Sequence, residues 1–200
     1  MEQEIVIVRK SAIKRWRLSV NREGVVVLSA PRFFSQRAIK EALAKHEGWI
    51  AKHRARRLES IERAKALYAE RAGLVPFFGE WIAPPSDPIG FYRNEARAFF
   101  TKECDRLAAA IGVAFNRIRI GDQKSRYGSC SAKGTLSFSW RIVKAPLFVA
   151  RYIAAHEVAH LMHMNHKSVF YDCVASVAPD YKEAEKWLAK NGDFLRFDPC

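Results

Sequence analysis

The sequence has no apolar run that approaches the roughly 20 residues needed to cross a bilayer. Residues 1–4, MEQE, are acidic, whereas the first residues of a secretory signal peptide are basic. Only four cysteines are present and none forms a CxxC pair, which argues against a disulfide framework in a chain of 200 residues. We therefore expect a cytoplasmic protein with reduced thiols and no membrane segment.

Acidic side chains are scarce relative to basic ones. The formal net charge is +13, and residues 9–71 hold 17 Lys and Arg against 6 Glu. Such an excess favours polyanionic partners such as nucleic acid, because each neutralised phosphate releases counterions. A solvated helix face of charged side chains is the alternative interpretation, and such faces are common.

The first third of the chain predicts a small antiparallel sheet and a long helix. Apolar residues are 49% of the chain and charged residues 28%, which is typical of a globular protein. Pro31 closes the sheet, and Ser35 is a suitable N-cap for one helix that ends before Gly73. The predicted strands cover residues 5–8, 16–20 and 25–28.

Proline and glycine are concentrated in residues 76–90, which include four of the eight prolines. This density of breakers predicts a connector with one short strand around residues 81–82. We therefore predict three parts: a basic N-terminal region over 1–75, the connector over 76–90, and a catalytic domain over 91–200.

The last part of the chain predicts helices that alternate with two strands, so the expected fold class is α+β. The strands flank a turn-rich loop at 125–131, and the helix that begins at Pro146 continues to about His163. The other predicted elements are a helix over 92–110 stopped by Gly112, strands over 117–120 and 135–140, a helix over 167–177, and a last helix that Asp180 and Glu183 open as a capping box.

The densest group of reactive side chains lies in residues 156–166, HEVAHLMHMNH, which hold four of the six histidines. His156 and His160 are one helical turn apart, so both imidazoles can reach a single tetrahedral zinc ion. Glu157 lies beside the metal, where it can accept a proton from zinc-bound water and pass it to the leaving amine. The pattern predicts one catalytic Zn²⁺ ion with Glu157 as the general base.

Catalytic zinc usually has three protein ligands, so a third must be found. His166 is favoured if the helix ends shortly before it, and Asn165 tolerates the left-handed backbone that such an ending requires. His163 is an alternative, although a straight helix would hardly bring it onto the same ion as the first two histidines. A downstream carboxylate, Glu183 or Glu185, is a further alternative.

Several short segments add to the HExxH motif at residues 156–160. They are residues 29–31, 49–50 and 124–131, the strand that ends in Trp140, Pro146, the extended motif 156–166 followed by Phe170, and residues 179–182. With these segments the sequence resembles, over nearly the whole chain, the YgjP-like metallopeptidase family, whose members are minimal zincins and predicted metal-dependent hydrolases.

The resemblance implies a zincin-like catalytic domain with zinc on His156, His160 and His166 and with Glu157 as general base. It also implies relatedness to SprT-like proteases, which act on proteins bound to DNA. The sequence departs from the family pattern at Tyr127, where Trp is common, and at Ser139, where Asn often precedes the Trp at the strand end. Both positions lie outside the metal ligands.

Two further segments allow a functional and a structural interpretation. Arg126 or Tyr127 could stabilise the oxyanion of a tetrahedral intermediate, or the loop could be structural, with Gly128 in a tight turn. Residues 135–140 could form an edge strand that pairs with an extended peptide, or an interior strand of the sheet.

The sequence as a whole predicts a zinc-dependent metallopeptidase that hydrolyses peptide bonds by Glu-assisted attack of zinc-bound water. Its expected substrates are proteins or peptides, including nucleic-acid-associated proteins reached through the basic N-terminal region. The alternative is a basic nucleic-acid-binding module with a structural or vestigial zinc site. An intact Glu157 argues against that alternative, because a structural site needs no base and normally closes its fourth position.

Overall fold

A computed structural model describes residues 5–10, 12–21 and 23–196, and its elements form an α+β protein with small sheets and six α-helices. The chain divides into two compact units, Met1–Ala66 and Leu67–Cys200. This division falls inside a long helix, whereas the sequence favoured residues 76–90, which belong to the second unit. The division into functional domains over 1–75, 76–90 and 91–200 stays a prediction.

The first unit contains a three-stranded sheet of mixed direction. Its strands are β1 (Ile5–Lys10), β2 (Arg17–Val20) and β3 (Val26–Pro31), in the order β1-β3-β2. β2 pairs antiparallel with β3, as expected, but β1 pairs parallel with β3. The predicted antiparallel sheet is therefore wrong for β1, because apolar alternation indicates a strand without indicating the direction of its neighbour.

Two helices occupy the segment where one long helix was predicted, α1 (Gln36–Lys45) and α2 (Glu47–Glu70). Ser35 is the N-cap, and its side chain accepts a hydrogen bond from the first turn of α1, as predicted. The break occurs at His46, whose ring meets the edge of the Trp16 ring at a centroid distance of 5.2 Å. This ring contact lies at the break, and Gly48, a poor helix former, follows two residues later.

The core of the first unit lies between β3 and α1. Burial alternates along β3, with Val26, Leu28 and Ala30 fully buried. Ile39 and Ala42 of α1 are buried residues on one helical face. Buried residues recur at every second position of the strand and are three positions apart on the helix. Each element therefore has one apolar face, and the two faces pack together.

The second unit holds the remaining elements of the described residues. Their bounds are β4 (Val75–Phe77), β5 (Glu80–Ile82), α3 (Pro88–Ile111), β6 (Arg117–Gly121), β7 (Gly128–Cys130), β8 (Thr135–Ser139), a 3-10 helix (Trp140–Lys144), α4 (Leu147–Ala159), α5 (Ser168–Val177), α6 (Tyr181–Asn191) and a second 3-10 helix (Phe194–Arg196). β4 and β5 form an antiparallel hairpin over residues 75–82, which includes the short strand expected at residues 81–82. Pro84, Pro85 and Pro88 follow the hairpin, and Pro88 is the first residue of α3.

The sheet beside α4 has the order β6-β8-β7. β8 is its central strand, parallel to β6 and antiparallel to β7, so residues 135–140 are interior and the edge-strand interpretation is wrong. Phe138 of β8 is fully buried, and its ring stacks on the Phe100 ring of α3 at 3.9 Å. The short strand β7, which was predicted as part of a loop, is one edge of this sheet.

Helix ends in the second unit follow the predicted capping rules only in part. α3 begins four residues earlier than predicted, because Asp87 caps its first turn and Pro88 occupies the first helical position. Gly112 ends α3 in the left-handed conformation, as expected. The capping box predicted at α6 does not form, because the Asp180 side chain makes no capping hydrogen bond.

Candidate metal centre

The helix that carries the metal motif, α4, is apolar on nearly all sides. Most of its residues between Val149 and Ala159 are buried. A helix of this kind is stable only in the interior of a unit, where it packs on all faces. The last turn of α4 contains His156 and Glu157, so both side chains start from a rigid backbone.

α4 ends at Ala159, four residues before the predicted end. His160 is the C-cap residue and keeps a right-handed helical conformation, so it still lies one turn beyond His156. The next backbone N–H groups, those of Leu161 and Met162, bond to carbonyls three residues back. Such bonds tighten the last turn and allow the chain to leave the helix axis directly after the second histidine.

Three histidines converge at the end of α4. The ligand atoms of His156, His160 and His166 all lie within 4.8 Å of one another. The Nε2 atoms of His156 and His166 are 3.1 Å apart. The two α4-derived rings are half-buried, and the His166 ring is exposed.

The spacing of the His156 and His166 nitrogens fits two ligands of one tetrahedral metal ion. Nitrogens bound to one zinc at about 2.0–2.1 Å are about 3.3 Å apart, close to the 3.1 Å between His156 and His166. Imidazole nitrogens are preferred ligands of zinc, and three protein ligands leave one position open, as catalytic sites require. The residues therefore fit the metal ion that the sequence predicts.

The second nitrogen of two of these rings faces a polar partner. His160 Nδ1 lies 3.0 Å from the main-chain carbonyl oxygen of His163, and His156 Nδ1 lies 3.4 Å from Tyr152 Oη. With a proton on each Nδ1, both Nε2 atoms are free to bind a metal. Partners of this kind fix the ring orientation and the tautomer of metal-binding histidines.

A single aromatic ring forms the floor of the cluster. Phe170 of α5 is fully buried, and its ring centroid lies 4.9, 4.6 and 4.7 Å from those of His156, His160 and His166. Burial also affects the protonation of the histidines that are derived from α4. Burial, with the neighbouring histidines adding to it, lowers the pKa of His156 to about 4. Burial likewise lowers the pKa of His160, so both rings are neutral at pH 7, as metal ligands must be.

The carboxyl group next to the cluster belongs to Glu157, which is 5% exposed. Burial raises its pKa to about 7, against the opposing effects of the Arg126 charge and of a hydrogen bond from the Cys130 backbone N–H. A carboxyl group with a pKa near 7 can both accept and donate a proton at neutral pH. The environment of Glu157 is thus that of a general acid and base.

Room for Glu157 depends on the absence of a side chain on β7. A Cβ atom at Gly128 would lie 2.5 Å from Glu157 Oε1. Gly128 is the first residue of β7 and has no positive φ, so it does not form the tight turn that one interpretation of the loop expected. Its bare backbone lies against the carboxyl group that the neighbouring Cys130 N–H binds.

A cleft of about 400 Å³ opens beside the cluster, and both residues predicted as oxyanion contacts line it. Arg126 is exposed at its edge. The Tyr127 hydroxyl donates a hydrogen bond to the Gly192 carbonyl oxygen at 3.2 Å, which ties the loop to the end of α6. Other lining residues are Gly128, Tyr152, His156, Glu157, Glu185 and Leu188.

The alternative third ligands lie outside the histidine cluster. The structure uses His163 through its main-chain carbonyl, and Glu185 accepts a hydrogen bond from Tyr152. Asn165 does not adopt the predicted left-handed backbone, since Phe78 is the one non-glycine residue with positive φ among those described. A tightened turn at the helix end brings His166 back instead.

Sequence reasoning missed three residues of this centre. The sequence gives Phe170 and Tyr152 no role in the site, and it suggests Gly128 only for turn formation. The sequence does contain an indication for Tyr152. It precedes His156 by four residues, so the two side chains are neighbours on one face of α4.

Comparison with known families decides the relationship of the chain. A family model described as the YgjP-like metallopeptidase domain matches residues 14–83 and 88–191. The chain belongs to the YgjP-like family. The second matched segment of this YgjP-like protein contains the histidine cluster, Glu157 and the cleft. Searches of curated proteins and of solved structures each found no match.

Membership of a YgjP-like metallopeptidase family supports a metal-dependent peptidase in general terms and implies a bound metal ion and protein substrates. The predicted resemblance is thereby confirmed. Over the described residues, every helix is too short or too polar to traverse a lipid bilayer.

Proposed function

We propose that this YgjP-like protein is a zinc-dependent peptidase with one Zn²⁺ ion on His156, His160 and His166. One observation carries the proposal: three imidazole nitrogens converge beside a buried carboxyl group at the wall of an open cleft. Metal ligands and a base in this arrangement are typical of peptide hydrolysis.

When bound, a zinc ion supplies Lewis-acid chemistry, lowering the pKa of a coordinated water to about 7 and polarising a substrate carbonyl. Glu157 accepts the proton that the attacking water loses and later donates it to the nitrogen of the leaving amine. The C–O bond forms in the addition step, and the C–N bond breaks in the later step in which the nitrogen takes the proton. One water and one peptide bond thus give a carboxylic acid and an amine.

Arg126 supplies positive charge at the edge of the cleft. We assign it the role of stabilising negative charge that develops on the substrate carbonyl oxygen. Tyr127 shares the cleft wall, but its hydroxyl is bonded to the Gly192 carbonyl, which supports a positioning role for this side chain.

A structural or vestigial zinc site is the weaker alternative. Structural zinc sites have four protein ligands and no open position, whereas the cluster of described residues offers three histidines. A buried carboxyl group with a raised pKa has no purpose in a structural site.

The test combines metal content with peptide cleavage. Wild-type protein loaded with zinc should cleave an unfolded protein such as reduced casein. His156→Ala, His160→Ala and His166→Ala should each lose stoichiometric zinc. Glu157→Gln should retain zinc and lose about 10²- to 10⁴-fold in cleavage rate, because it cannot transfer the proton.

His163→Ala is the matched control, since the structure uses only the main chain of this residue. It should keep both zinc and activity. Loss of zinc in His163→Ala, or full activity in Glu157→Gln, would contradict the proposed site.

We further propose that the basic first unit binds single-stranded nucleic acid. In α2 the rings of Trp49 and His53 are in tilted contact, with centroids 4.1 Å apart, and Lys52 and Arg56 are exposed beside them. Exposed aromatic rings on which bases can stack, interleaved with cations, are typical of such surfaces. Nucleic acid bound there would favour substrates that are themselves associated with nucleic acid.

The cytoplasmic location of the protein stays a prediction from its composition.

A salt titration with a fluorescent single-stranded DNA tests this second proposal. Combined Lys52→Glu and Arg56→Glu changes should weaken binding at least tenfold and reduce the slope of log affinity against log salt by about 1.5. Arg37→Glu, an equal charge change per site on exposed α1, is the control. Equal losses per substituted site, that is, half as large a change in log affinity for Arg37→Glu, would indicate attraction by net charge alone.

A further inference from the structure

Tyr152 connects a metal-binding histidine to a carboxylate on another helix. Its hydroxyl oxygen lies 3.4 Å from His156 Nδ1 and 3.0 Å from Glu185 Oε1. The Tyr152 side chain is 5% exposed, and Glu185 belongs to α6. A continuous chain of polar contacts therefore runs from α6 through α4 to the metal centre.

The direction of both hydrogen bonds is fixed by counting protons. The hydroxyl has one proton, and the carboxylate of Glu185 can only accept, so Tyr152 donates to Glu185. The hydroxyl oxygen can then accept from His156, which requires the proton of that ring on Nδ1. The lone pair of His156 is thereby left on Nε2, the atom that lies 3.1 Å from His166 Nε2.

We infer that Tyr152 and Glu185 are positioning residues that hold His156 in the tautomer and orientation required for metal binding. This inference rests on the proposed zinc site and adds to it the means by which one ligand is prepared. The histidine–tyrosine–carboxylate chain extends by one hydroxyl the direct carboxylate–histidine contact found at many zinc sites.

The other α4-derived ligand needs no such side chains. His160 Nδ1 is bonded to the main-chain carbonyl of His163, which no side-chain substitution removes. His156 is therefore the ligand whose preparation depends on residue identity. His160 therefore serves as an internal reference in experiments on the contacts between His156, Tyr152 and Glu185.

Zinc affinity in a double-mutant cycle tests the inference. Tyr152→Phe keeps the ring and removes the hydroxyl, and Glu185→Gln keeps the shape and removes the charge. Competition with a chromogenic chelator should show about 10- to 100-fold weaker zinc binding in Tyr152→Phe. The double variant should bind zinc no more weakly than Tyr152→Phe, because Glu185 acts through the hydroxyl. Glu183→Gln, an exposed carboxylate on the same helix, should leave affinity unchanged.

A measurement without metal separates positioning from general packing. Nitrogen-15 NMR of the histidine rings in metal-free protein should show His156 as the Nδ1–H tautomer in the wild type. In Tyr152→Phe the same ring should become a mixture of both tautomers, while the His160 signals stay unchanged. A merely structural effect would shift both rings or neither.

Unchanged zinc affinity and an unchanged His156 tautomer in Tyr152→Phe would overturn the inference, and a raised KM in that variant would then assign the hydroxyl to substrate contact. Strictly additive effects of Tyr152→Phe and Glu185→Gln would overturn the connection through Tyr152. Failure of the zinc site itself has a different signature, namely normal zinc affinity in His156→Ala.

Discussion

The two halves of the metal centre are held in different ways. His156 and Glu157 start from the last turn of buried α4, and Tyr152, Phe170 and Gly128 contact them. The other half is the segment 161–167 between α4 and α5, which carries exposed His166. Its Met162 and Met164 side chains are 50% and 60% exposed. The first half is positioned by packing, so metal binding should mainly order the second.

The largest effect should come from Phe170→Ala, because this ring contacts the histidines of both halves. Removing a fully buried phenylalanine lowers the free energy of unfolding by about 3–5 kcal/mol. Urea denaturation of metal-free protein measures the loss, and zinc affinity should fall with it. Val169→Ala, at a 51% exposed neighbour, is the control, and an equal loss there would refute the role of the aromatic floor.

Gly128→Ala should damage the packed half alone. The new methyl group would lie 2.5 Å from Glu157 Oε1 and must displace the carboxyl group. A displacement of about 1 Å costs on the order of 100-fold in kcat, with zinc content unchanged. Gly48→Ala is the control, because no atom lies within 4 Å of its Cβ position. Unchanged kcat in Gly128→Ala would show that the position of Glu157 is not restricted from β7.

Removal of zinc should act mainly on the exposed half. At a free zinc concentration of 100 times Kd, binding raises the free energy of unfolding of the folded protein by about 2.7 kcal/mol. Hydrogen exchange followed by mass spectrometry should therefore show faster exchange in residues 161–167 after chelation, and little change in α4. Equal deprotection of both segments would mean that the packed half is not preformed.

The smallest effect should come from Tyr127→Phe. This change removes one hydrogen bond to the Gly192 carbonyl and should cost about 1 kcal/mol of stability, with kcat unchanged. A fall in kcat of about 10²- to 10³-fold at constant stability would instead identify Tyr127 as an oxyanion donor.

Local patterns predicted most helices of this fold correctly, and Ser35 and Gly112 were located as caps because their roles are local. Features that depend on distant contacts were not predictable in this way. The parallel pairing of β1 is decided by β3, which lies about 20 residues further along the chain, and the ring of Trp16 packs on His46 at the break between α1 and α2. The end of α4 was misplaced because helical periodicity continues through His163, whereas the backbone tightens after His160.

The candidate site was predictable where chemistry imposes a spacing. His156, Glu157 and His160 follow from the helical repeat and the needs of zinc, and His166 required the chain to turn back. Gly128 and Phe170 could not be given their roles, because contacts across the unit define them. Tyr152 was within reach of the same one-turn reasoning that paired the first two histidines.

The carbonyl of residue 163, which accepts from His160 Nδ1, belongs to the peptide backbone rather than to any side chain. Natural variation should therefore tolerate many different amino acids at this position. It should not tolerate an inserted or deleted residue between His160 and residue 163, because the carbonyl would then move away from the imidazole. The number of residues in this short connection, more than their identity, should therefore be conserved.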